Sequence, residues 1–339
     1  MRWPQVRPSV RPSVRPTDRP TDRPTDRPTD RPTDRPTYLA SAPTSGRPQL
    51  DDRQAPVHSR RWKVRPHREF DATNDKKWFV LDEGESILNV QLDNWPVYKG
   101  SSFGIWNPDT GEYYASVDAR LIAAHLQDKR LRQHKTPRSP FAEFAQRHIE
   151  NPETLPCLRP RIAFRKVTNP TNTRTVIPAL IPGQAVLTDA AQYLLWPRGT
   201  SHDEAFLLGV LSSMILDWYA RRVVELNLNF HIFNNLPIPL ADLENDQVAD
   251  RVVEIAGRLA AVDERFVEWA GEVGVPVGSA NDEAVKQDLI CELDACVAYL
   301  YELDEEDLAV VYETFSETVD YSERHAAVLA HFRKLNERF

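Results

Sequence analysis

The chain has 339 residues, of which 27% are charged and 41% hydrophobic, enough for one or two domains with a buried core. Its net charge of −8 is uneven: residues 1–70 carry 16 Lys and Arg against 8 Asp and Glu, residues 71–240 carry 18 of each, and residues 241–339 carry 8 against 24. The three cysteines lack metal or redox spacing, and no apolar run approaches the ~20 residues of a membrane span. We therefore expect a cytoplasmic protein without disulfides and without a membrane partner.

The N-terminal segment is a tandem repeat. From Arg7 to Asp34 a four-residue unit recurs, first as Arg-Pro-Ser-Val and then as Arg-Pro-Thr-Asp. A proline in every unit prevents helix formation and removes ladder donors, and the apolar groups are too few to offset the ordering entropy. Residues 1–70 are therefore predicted to be a disordered tail followed by a basic linker. Either the tail adds phosphate contacts, or it is a nucleotide repeat translated upstream of the true start.

The central part of the chain predicts a β-hairpin. Two strand-like runs, 161–167 and 174–181, flank a loop rich in Asn, Pro and Thr, which are turn-forming residues. Side chains alternate across a strand, so Arg161 and Arg165 share one face while Ile162 takes the other. We expect the arginine face to be exposed and basic.

Helical periodicity dominates the remainder. Two short strands are predicted at 185–187 and 192–196, a long amphipathic helix at 204–225, and a further strand at 226–232. Apolar residues then step by 4 and 3 from Val248 to Trp269, which is heptad spacing and calls for a partner helix. A second amphipathic helix at 285–300 can return against the first, and a final helix is predicted at 322–337.

These elements predict the fold class and its division into domains. The fold is expected to be α+β, with a mixed β-sheet domain and a helical C-terminal extension. The predicted boundaries are 1–70 for the tail and linker, 71–240 for the sheet domain, and 241–339 for the acidic helical domain.

A local excess of positive charge marks residues 129–174, which hold 11 Lys and Arg against 3 Glu. Phosphates attract such residues, so double-stranded DNA is the expected partner. Arg165, Asn169, Asn172 and Arg174 can also reach base edges, because Arg pairs with guanine and Asn with adenine. Alternatively, the Asn residues only cap a turn and the arginines are only solvated. The candidate DNA-binding residues are Lys129, Arg130, Arg132, Lys135, Arg138, Arg159, Arg161, Arg165, Lys166, Asn169, Asn172 and Arg174.

Several separated motifs carry a resemblance to a known family. They are Arg-Ile-Ala-Phe-Arg at 161–165, Asn-Thr-Arg-Thr at 172–175, Leu-Asn-Leu-Asn-Phe at 226–230 and Leu-Pro-Ile-Pro at 236–239. In this order they resemble the C-terminal target-recognition region of adenine-specific type II and type IIG restriction-modification DNA methyltransferases, over roughly residues 95–315. The chain departs from the family at Lys99, where relatives often have Glu, and at Glu302, where they have Gly.

The resemblance implies a role in choosing the DNA sequence and leaves the chemistry to another part. The Gly-rich loop that holds S-adenosylmethionine is absent, as is the Asn/Asp-Pro-Pro-aromatic turn that receives a flipped adenine. No catalytic, cofactor-binding or metal-ligating set stands out. We therefore expect no cofactor in this chain, no methylation or cleavage by it alone, and S-adenosylmethionine in a full-length or partner catalytic domain.

Three hypotheses follow. The first is the sequence-specific DNA-recognition part of an adenine-specific methylation or restriction-modification system, working with a separate catalytic methyltransferase or nuclease chain. The second is a helical protein-interaction module with no DNA role. The third is a truncated or frameshifted methyltransferase gene.

Overall fold

The structure is a computed structural model, and the part of the chain that it describes comprises residues 54–56, 62–79, 94–168, 172–240, 246–315 and 319–338. The repeat of residues 7–34, with the disordered tail predicted for it, lies outside these ranges, as does the candidate base-reading residue Asn169. The described residues form the predicted α+β fold.

Strands make up three small sheets. Their bounds are β1 Gln54–Pro56, β2 Arg65–His67, β3 Asn94–Tyr98, β4 Ala115–Asp118, β5 Arg161–Arg165, β6 Pro178–Ile181, β7 Val186–Leu187, β8 Ala191–Leu195 and β9 Pro237–Pro239. The largest sheet is antiparallel and has the order β2-β8-β5-β6. In the second sheet, β3 pairs antiparallel with β4 and parallel with β7, and β1 pairs antiparallel with β9.

The helices follow the predicted order with some changes of boundary. Their bounds are α1 Ala119–His134, α2 Gln146–Glu150, α3 Ser201–Ser212, α4 Met214–Val223, α5 Phe230–Phe233, α6 Gln247–Ala260, α7 Val267–Val273, α8 Glu283–Leu300, α9 Glu305–Phe315 and α10 Ser322–Arg338. None of the described helices is long and apolar enough to cross a bilayer.

The central hairpin is confirmed, since β5 and β6 pair antiparallel with Arg161 opposite Ile181. The predicted strand at 226–232 is wrong: only an isolated bridge joins Asn227 to Val167, and the helical turn α5 follows.

The single helix predicted at 204–225 is wrong as well, because the chain breaks it at Ser213. This residue adopts an extended ψ of 153°, and its side chain caps α4 by accepting from Leu216 N. The break frees backbone carbonyls, two of which bind an arginine described below.

One hydrophobic core runs across the predicted domain boundaries. It contains Trp62, Val64 and Leu180 from the sheet side together with buried residues of α3, α6, α8, α9 and α10. Residues 62–70, predicted as linker, instead contribute β2 and three fully or nearly fully buried side chains, Trp62, Val64 and Phe70. Because the apolar residues of this segment are interspersed among arginines, its composition did not indicate that they are buried. The boundary at residue 240 does not separate two cores.

The apolar heptad positions that begin at Val248 pack against other elements of the same chain. The helix ends at Ala260, and Phe266 and Trp269 belong to a short 3-10 turn and to α7, so the expected three-heptad helix is wrong. Val252 and Ile255 are fully buried in the core that α3 and α8 share with α6. The apolar seam therefore needs no second polypeptide.

Candidate nucleic-acid interface

The exposed basic face predicted for β5 is wrong. Arg161 is only 4% exposed, and its Nη2 donates to Glu69 Oε2 at 3.1 Å and to the Ala185 carbonyl at 2.9 Å. Glu69 also accepts from Leu187 N at 2.8 Å. Burial raises the pKa of Glu69, and the Arg161 charge opposes that shift. Since β5 lies between β8 and β6 and is covered on both faces, Arg161 serves as an internal counter-ion and cannot reach a phosphate.

The predicted base-reading arginines also point inward. Arg165 donates through Nε to the Phe103 carbonyl at 3.1 Å. Arg174 donates through Nη2 to the Ser212 and Ser213 carbonyls at 2.8 and 2.9 Å, and its Nε lies 3.4 Å from Asp217 Oδ2. These two side chains therefore fasten loops to the scaffold. The acceptors of Arg174 come from the helix break at Ser213 and that of Arg165 from Phe103, and no local sequence pattern reveals either.

Arg130 has a similar structural role. It is 2% exposed, and its guanidinium donates to the Thr154 carbonyl at 2.9 Å and the Asn151 carbonyl at 2.8 Å. It thus ties α1 to the turns that precede β5, and it is removed from the DNA-binding set.

Besides the arginines just described, seven of the predicted residues keep some or all of their surface. Lys129 and Lys166 are half-buried, whereas four side chains are exposed, namely Arg132, Lys135, Arg138 and Arg159. Asn172 is half-buried, with Nδ2 3.4 Å from Thr168 Oγ1. Arg159 stands apart from the other three, at the start of β5, where it lines a cleft of about 470 Å³.

In the fold, the basic residues of α1 that keep exposed surface lie next to residues 69–78, a segment distant in sequence. Lys129 Nζ donates to the Glu69 carbonyl and lies 5.4 Å from the Phe70 ring. His125, one turn earlier, contacts Trp78 with ring centroids 4.5 Å apart and the rings tilted by 35°, and Lys77 Nζ lies 5.5 Å from the same indole. Residues spaced by 3 and 4 share a helix face, so Arg132 continues this surface.

We call this surface the basic stripe. Arg68, Lys77, Lys129 and Arg132 lie on it, and we count with it Lys135 and Arg138, exposed residues that follow at and just beyond the C-terminal end of α1. Burial lowers the pKa of Lys129, an effect that Arg68 and Arg132 reinforce while Asp75 and Glu69 oppose it, as expected for charges gathered in one place. Arg68 and Lys77 precede the segment that charge counting selected, and only the packing of residues 68–78 on α1 brings them in.

Residues 166–168, which directly follow β5 and are called here the hairpin tip, lie at the same end of the sheet as residues 68–75. Because β2 and β5 both pair antiparallel with β8, they run in the same direction, and their carboxyl ends meet at one sheet edge. Two contacts span the distance: Ala72 N lies 3.4 Å from Asp189 Oδ1, and Asp189 Oδ2 lies 3.9 Å from Lys166 Nζ. The basic stripe and the tip therefore belong to contiguous surface.

Two cavities lined by described residues have no evident catalytic set. A space of about 20 Å³ under α1, room for roughly one water, is lined by His67, Cys157 and Tyr193 among others. Burial raises the pKa of Cys157 to about 12 and lowers that of His67 to about 3, so neither group is poised for chemistry near neutral pH. In the cleft beside Arg159, burial raises the pKa of Glu204 to about 7, although its hydrogen bond from Trp269 opposes the shift. Among the described residues, no cluster of His, Cys, Asp and Glu could hold a metal ion.

Comparisons with known proteins give one family match and a weak structural similarity. A family model described as a PT disordered repeat matches residues 4–45, in agreement with the repeat in the sequence. No curated protein matches the chain. Among solved structures, it is similar to the Type IIL restriction-modification enzyme MmeI in complex with DNA, with a TM-score of 0.37 and 13% identity over 80% of this chain and 38% of that one. Similarity at this level carries no argument, and the chain spans well under half of that enzyme's length.

Proposed function

We propose that this chain is the DNA-recognition part of an adenine-specific methylation or restriction-modification system, and that it holds duplex DNA against the basic stripe. The observation that carries the proposal is the stripe itself: six Lys and Arg side chains gathered around α1, four of them predicted from the sequence to meet DNA. The motif resemblance supports the type of system.

Electrostatics favour phosphate contact at this surface. The nearby carboxylates of Asp71 and Asp75 are outnumbered, and Asp71 already pairs with Arg68 at 3.3 Å. Arg132, Lys135 and Arg138 make no ion pair with any described residue, so they can exchange counterions for phosphates. Contacts of this kind position a protein on DNA, and specificity requires groups that reach bases. Arg165 and Arg174 are held inside the fold, so in this proposal Asn172 is the described residue of the predicted base-reading set that remains for base contact.

Catalysis belongs to another chain or to a domain outside this sequence. The residues present do not fit S-adenosylmethionine, since a Gly-rich loop between a strand and a helix is absent from the sequence. No step is therefore assigned to that cofactor here.

Charge reversal tests the proposal on the full-length chain. The triple substitution R132E/K135E/R138E should weaken binding to a 30-base-pair duplex at least tenfold and reduce the slope of log K against log salt by about 2 to 3, because each lost phosphate contact contributes about 0.9. Fluorescence anisotropy at several salt concentrations measures both quantities.

The matched control is R333E/K334E/R338E on α10, which changes the net charge by the same amount in the acidic helical half. Circular dichroism checks that both variants are folded. If the α1 variant binds like the wild type, or if both variants lose the same affinity, the basic stripe is not the DNA-binding surface.

The alternative of a helical protein-interaction module has no comparable observation in its favour. Its proposed surface, the heptad seam that begins at Val248, is buried against α3 and α8.

A further inference from the structure

Helix α4 holds the backbone that follows the loop of the central hairpin. Asp217 Oδ1 accepts from the backbone amides of residues 175–176 at 2.9 and 2.5 Å. One turn later, Arg221 Nη2 donates to the Asn172 carbonyl and, at 3.1 Å, to the Thr173 carbonyl. Residues four apart share a helix face, so one face of α4 offers an acceptor for two amides and then a donor for two carbonyls.

The orientation of Arg221 is restrained by α9, near the C-terminal end of that helix. Arg221 Cζ lies 4.4 Å from the centroid of the Phe315 ring, and one turn before Arg221 the indole Nε1 of Trp218 donates to Thr314 Oγ1 at 3.0 Å. Phe315 is buried, so the ring beside the guanidinium belongs to the hydrophobic core. The acidic half of the chain therefore helps to place the side chain that holds the loop.

An arginine suits this place for a geometric reason. Its guanidinium is planar and carries N–H donors in a fixed arrangement, so it can bond neighbouring carbonyls while one face lies against an aromatic ring. A lysine carries the same charge, but its ammonium is a compact group on a flexible stem and does not hold two acceptors and a ring in one fixed geometry. The contacts of Arg221 are those of a residue that fixes a backbone.

The backbone that Arg221 holds carries the candidate base-reading amide. Asn172 Nδ2 lies 3.4 Å from Thr168 Oγ1, so this amide adjoins the hairpin tip, which is contiguous with the basic stripe. An asparagine reads adenine through two hydrogen bonds, and such a contact requires the amide to be held within about 0.5 Å of its productive position. A small shift of the Asn172 backbone would therefore leave the amide near the DNA and still break the pairing.

We propose that Arg221 is a positioning residue for sequence recognition: by fixing the carbonyls of Asn172 and Thr173, it orients the Asn172 amide toward an adenine. This inference rests on the proposed function, because it requires duplex DNA on the basic stripe and the adjoining hairpin tip. The stripe supplies affinity for any duplex, and Arg221 supplies part of the discrimination between sequences. The acidic half contributes to recognition through α9 and Phe315, without touching the DNA.

Selection from 30-base-pair duplexes with a randomised centre tests the proposal on the full-length chain. The wild type should enrich a sequence that contains adenine and bind it about a thousandfold more tightly than a scrambled duplex. N172A should lower this ratio about tenfold, the contribution of one bidentate base contact. R221A and R221K should also lower it about tenfold, because both lose the two-carbonyl contact. Their affinity for the scrambled duplex and their salt slope should match the wild type, since the stripe is intact.

A double variant shows whether Arg221 acts through Asn172. N172A/R221A should lower the ratio no further than N172A alone, whereas independent contributions would multiply to about a hundredfold loss. The control R222A removes the neighbouring arginine, which donates to the Trp218 carbonyl of its own helix, and should keep the wild-type ratio. Fluorescence anisotropy measures the affinities, and thermal melts show which variants are folded. R221K keeps the charge and most of the side chain, so it carries the test if R221A unfolds.

The other outcomes are also decisive. A wild-type ratio in R221K, or a hundredfold loss in N172A/R221A, overturns the positioning role; if binding is still lost in R132E/K135E/R138E, the proposed function stands. Weaker binding of R221A to every duplex, with a lower salt slope, assigns Arg221 to a phosphate contact and overturns the positioning role. A wild type that binds no duplex, or binds all sequences equally, overturns the proposed function and this inference with it.

Discussion

At the scale of single residues, two of the arginines predicted to meet DNA neutralise buried carboxylates instead. Arg161 lies against Glu69, and Arg174 lies against Asp217, a residue with no exposed surface. Removing a charge from water is costly unless it is paired and hydrogen-bonded, so each carboxylate requires its arginine. The exposure of an arginine in a strand therefore cannot be predicted from the strand pattern. The pattern tells which face of the sheet the side chain is on, and the packing of the neighbouring layer decides whether that face is exposed to solvent.

Substitution of Asp217 tests this structural role. Its carboxylate accepts from Thr175 N at 2.9 Å and Val176 N at 2.5 Å besides pairing with Arg174. D217A leaves two backbone donors without their acceptor and the Arg174 guanidinium without its counter-ion, and should lower the free energy of unfolding by about 3 to 5 kcal/mol. D217N retains one acceptor oxygen and should lose less. Urea denaturation measures both variants, with D128N on the exposed side of α1 as control; a loss under 1 kcal/mol in D217A would contradict the role.

At the scale of elements, close helix packing explains why the C-terminal half belongs to the same body as the sheet. Gly209 sits in α3 where a Cβ would lie 2.8 Å from Val252 Cγ1, 3.2 Å from Ala256 Cβ and 3.3 Å from Leu293 Cδ1. The absence of a side chain there lets α6 and α8 approach α3 closely. Strand β6 also packs on α3, so this helix contacts both the sheet and the helical bundle.

A pair of Gly to Ala substitutions distinguishes tight packing from helix propensity. Gly271, in α7, has no atom within 4 Å of an added Cβ, so G271A should raise the free energy of unfolding by about 0.5 to 1 kcal/mol through helix propensity alone. G209A gains the same propensity but must displace a Val252 methyl, and overpacking of this kind costs about 1 to 3 kcal/mol. Chemical denaturation should therefore rank G271A above wild type and G209A below G271A by at least about 1 kcal/mol. Equal effects would mean that α3 and α6 are not in close contact.

At the scale of the whole molecule, charged residues are distributed unevenly along the chain, whereas the largest hydrophobic core contains residues from both halves. Residues 241–339 carry 24 acidic against 8 basic residues, whereas the basic stripe lies on α1 and on residues 68–78. Among the described residues, the basic stripe is thus a cationic surface beside a strongly acidic half, and the largest hydrophobic core cluster contains residues of both parts. If the proposed function holds, this asymmetry favours approach of a polyanion from the side of the basic stripe.

The continuity of the core predicts the behaviour of fragments. Residues 54–240 expressed alone should lack a cooperative unfolding transition and bind ANS, because Phe206, Leu207 and Leu211 of α3 lose the helices that bury them. Co-expression with residues 241–339 should restore the transition, as the missing layer returns. Near-UV circular dichroism and ANS fluorescence measure this; a sharp transition in the isolated fragment would show that the two smaller core clusters, which lie wholly within the sheet region, are enough to hold it.

Much of the element order could be predicted from the sequence because its causes are local. Turn-forming residues between two β-branched and aromatic runs specified the hairpin β5/β6, and helical spacing specified α8 and α10 close to their final bounds. The break at Ser213 escaped prediction, since its stabilising partners, Arg174 and Asp294, come from 39 and about 80 residues away.

The sequence by itself determined the repeat tail, the order of most strands and helices, and the local excess of basic residues, all of which depend on neighbours within a few positions. Tertiary structure alone decided which of those basic residues face solvent. Glu69 lies 92 residues from Arg161 and 118 from Leu187, yet it sets the orientation of both, because a buried charge must be satisfied by whatever the fold brings near. For the same reason the basic stripe exists only once residues 68–78 pack on α1.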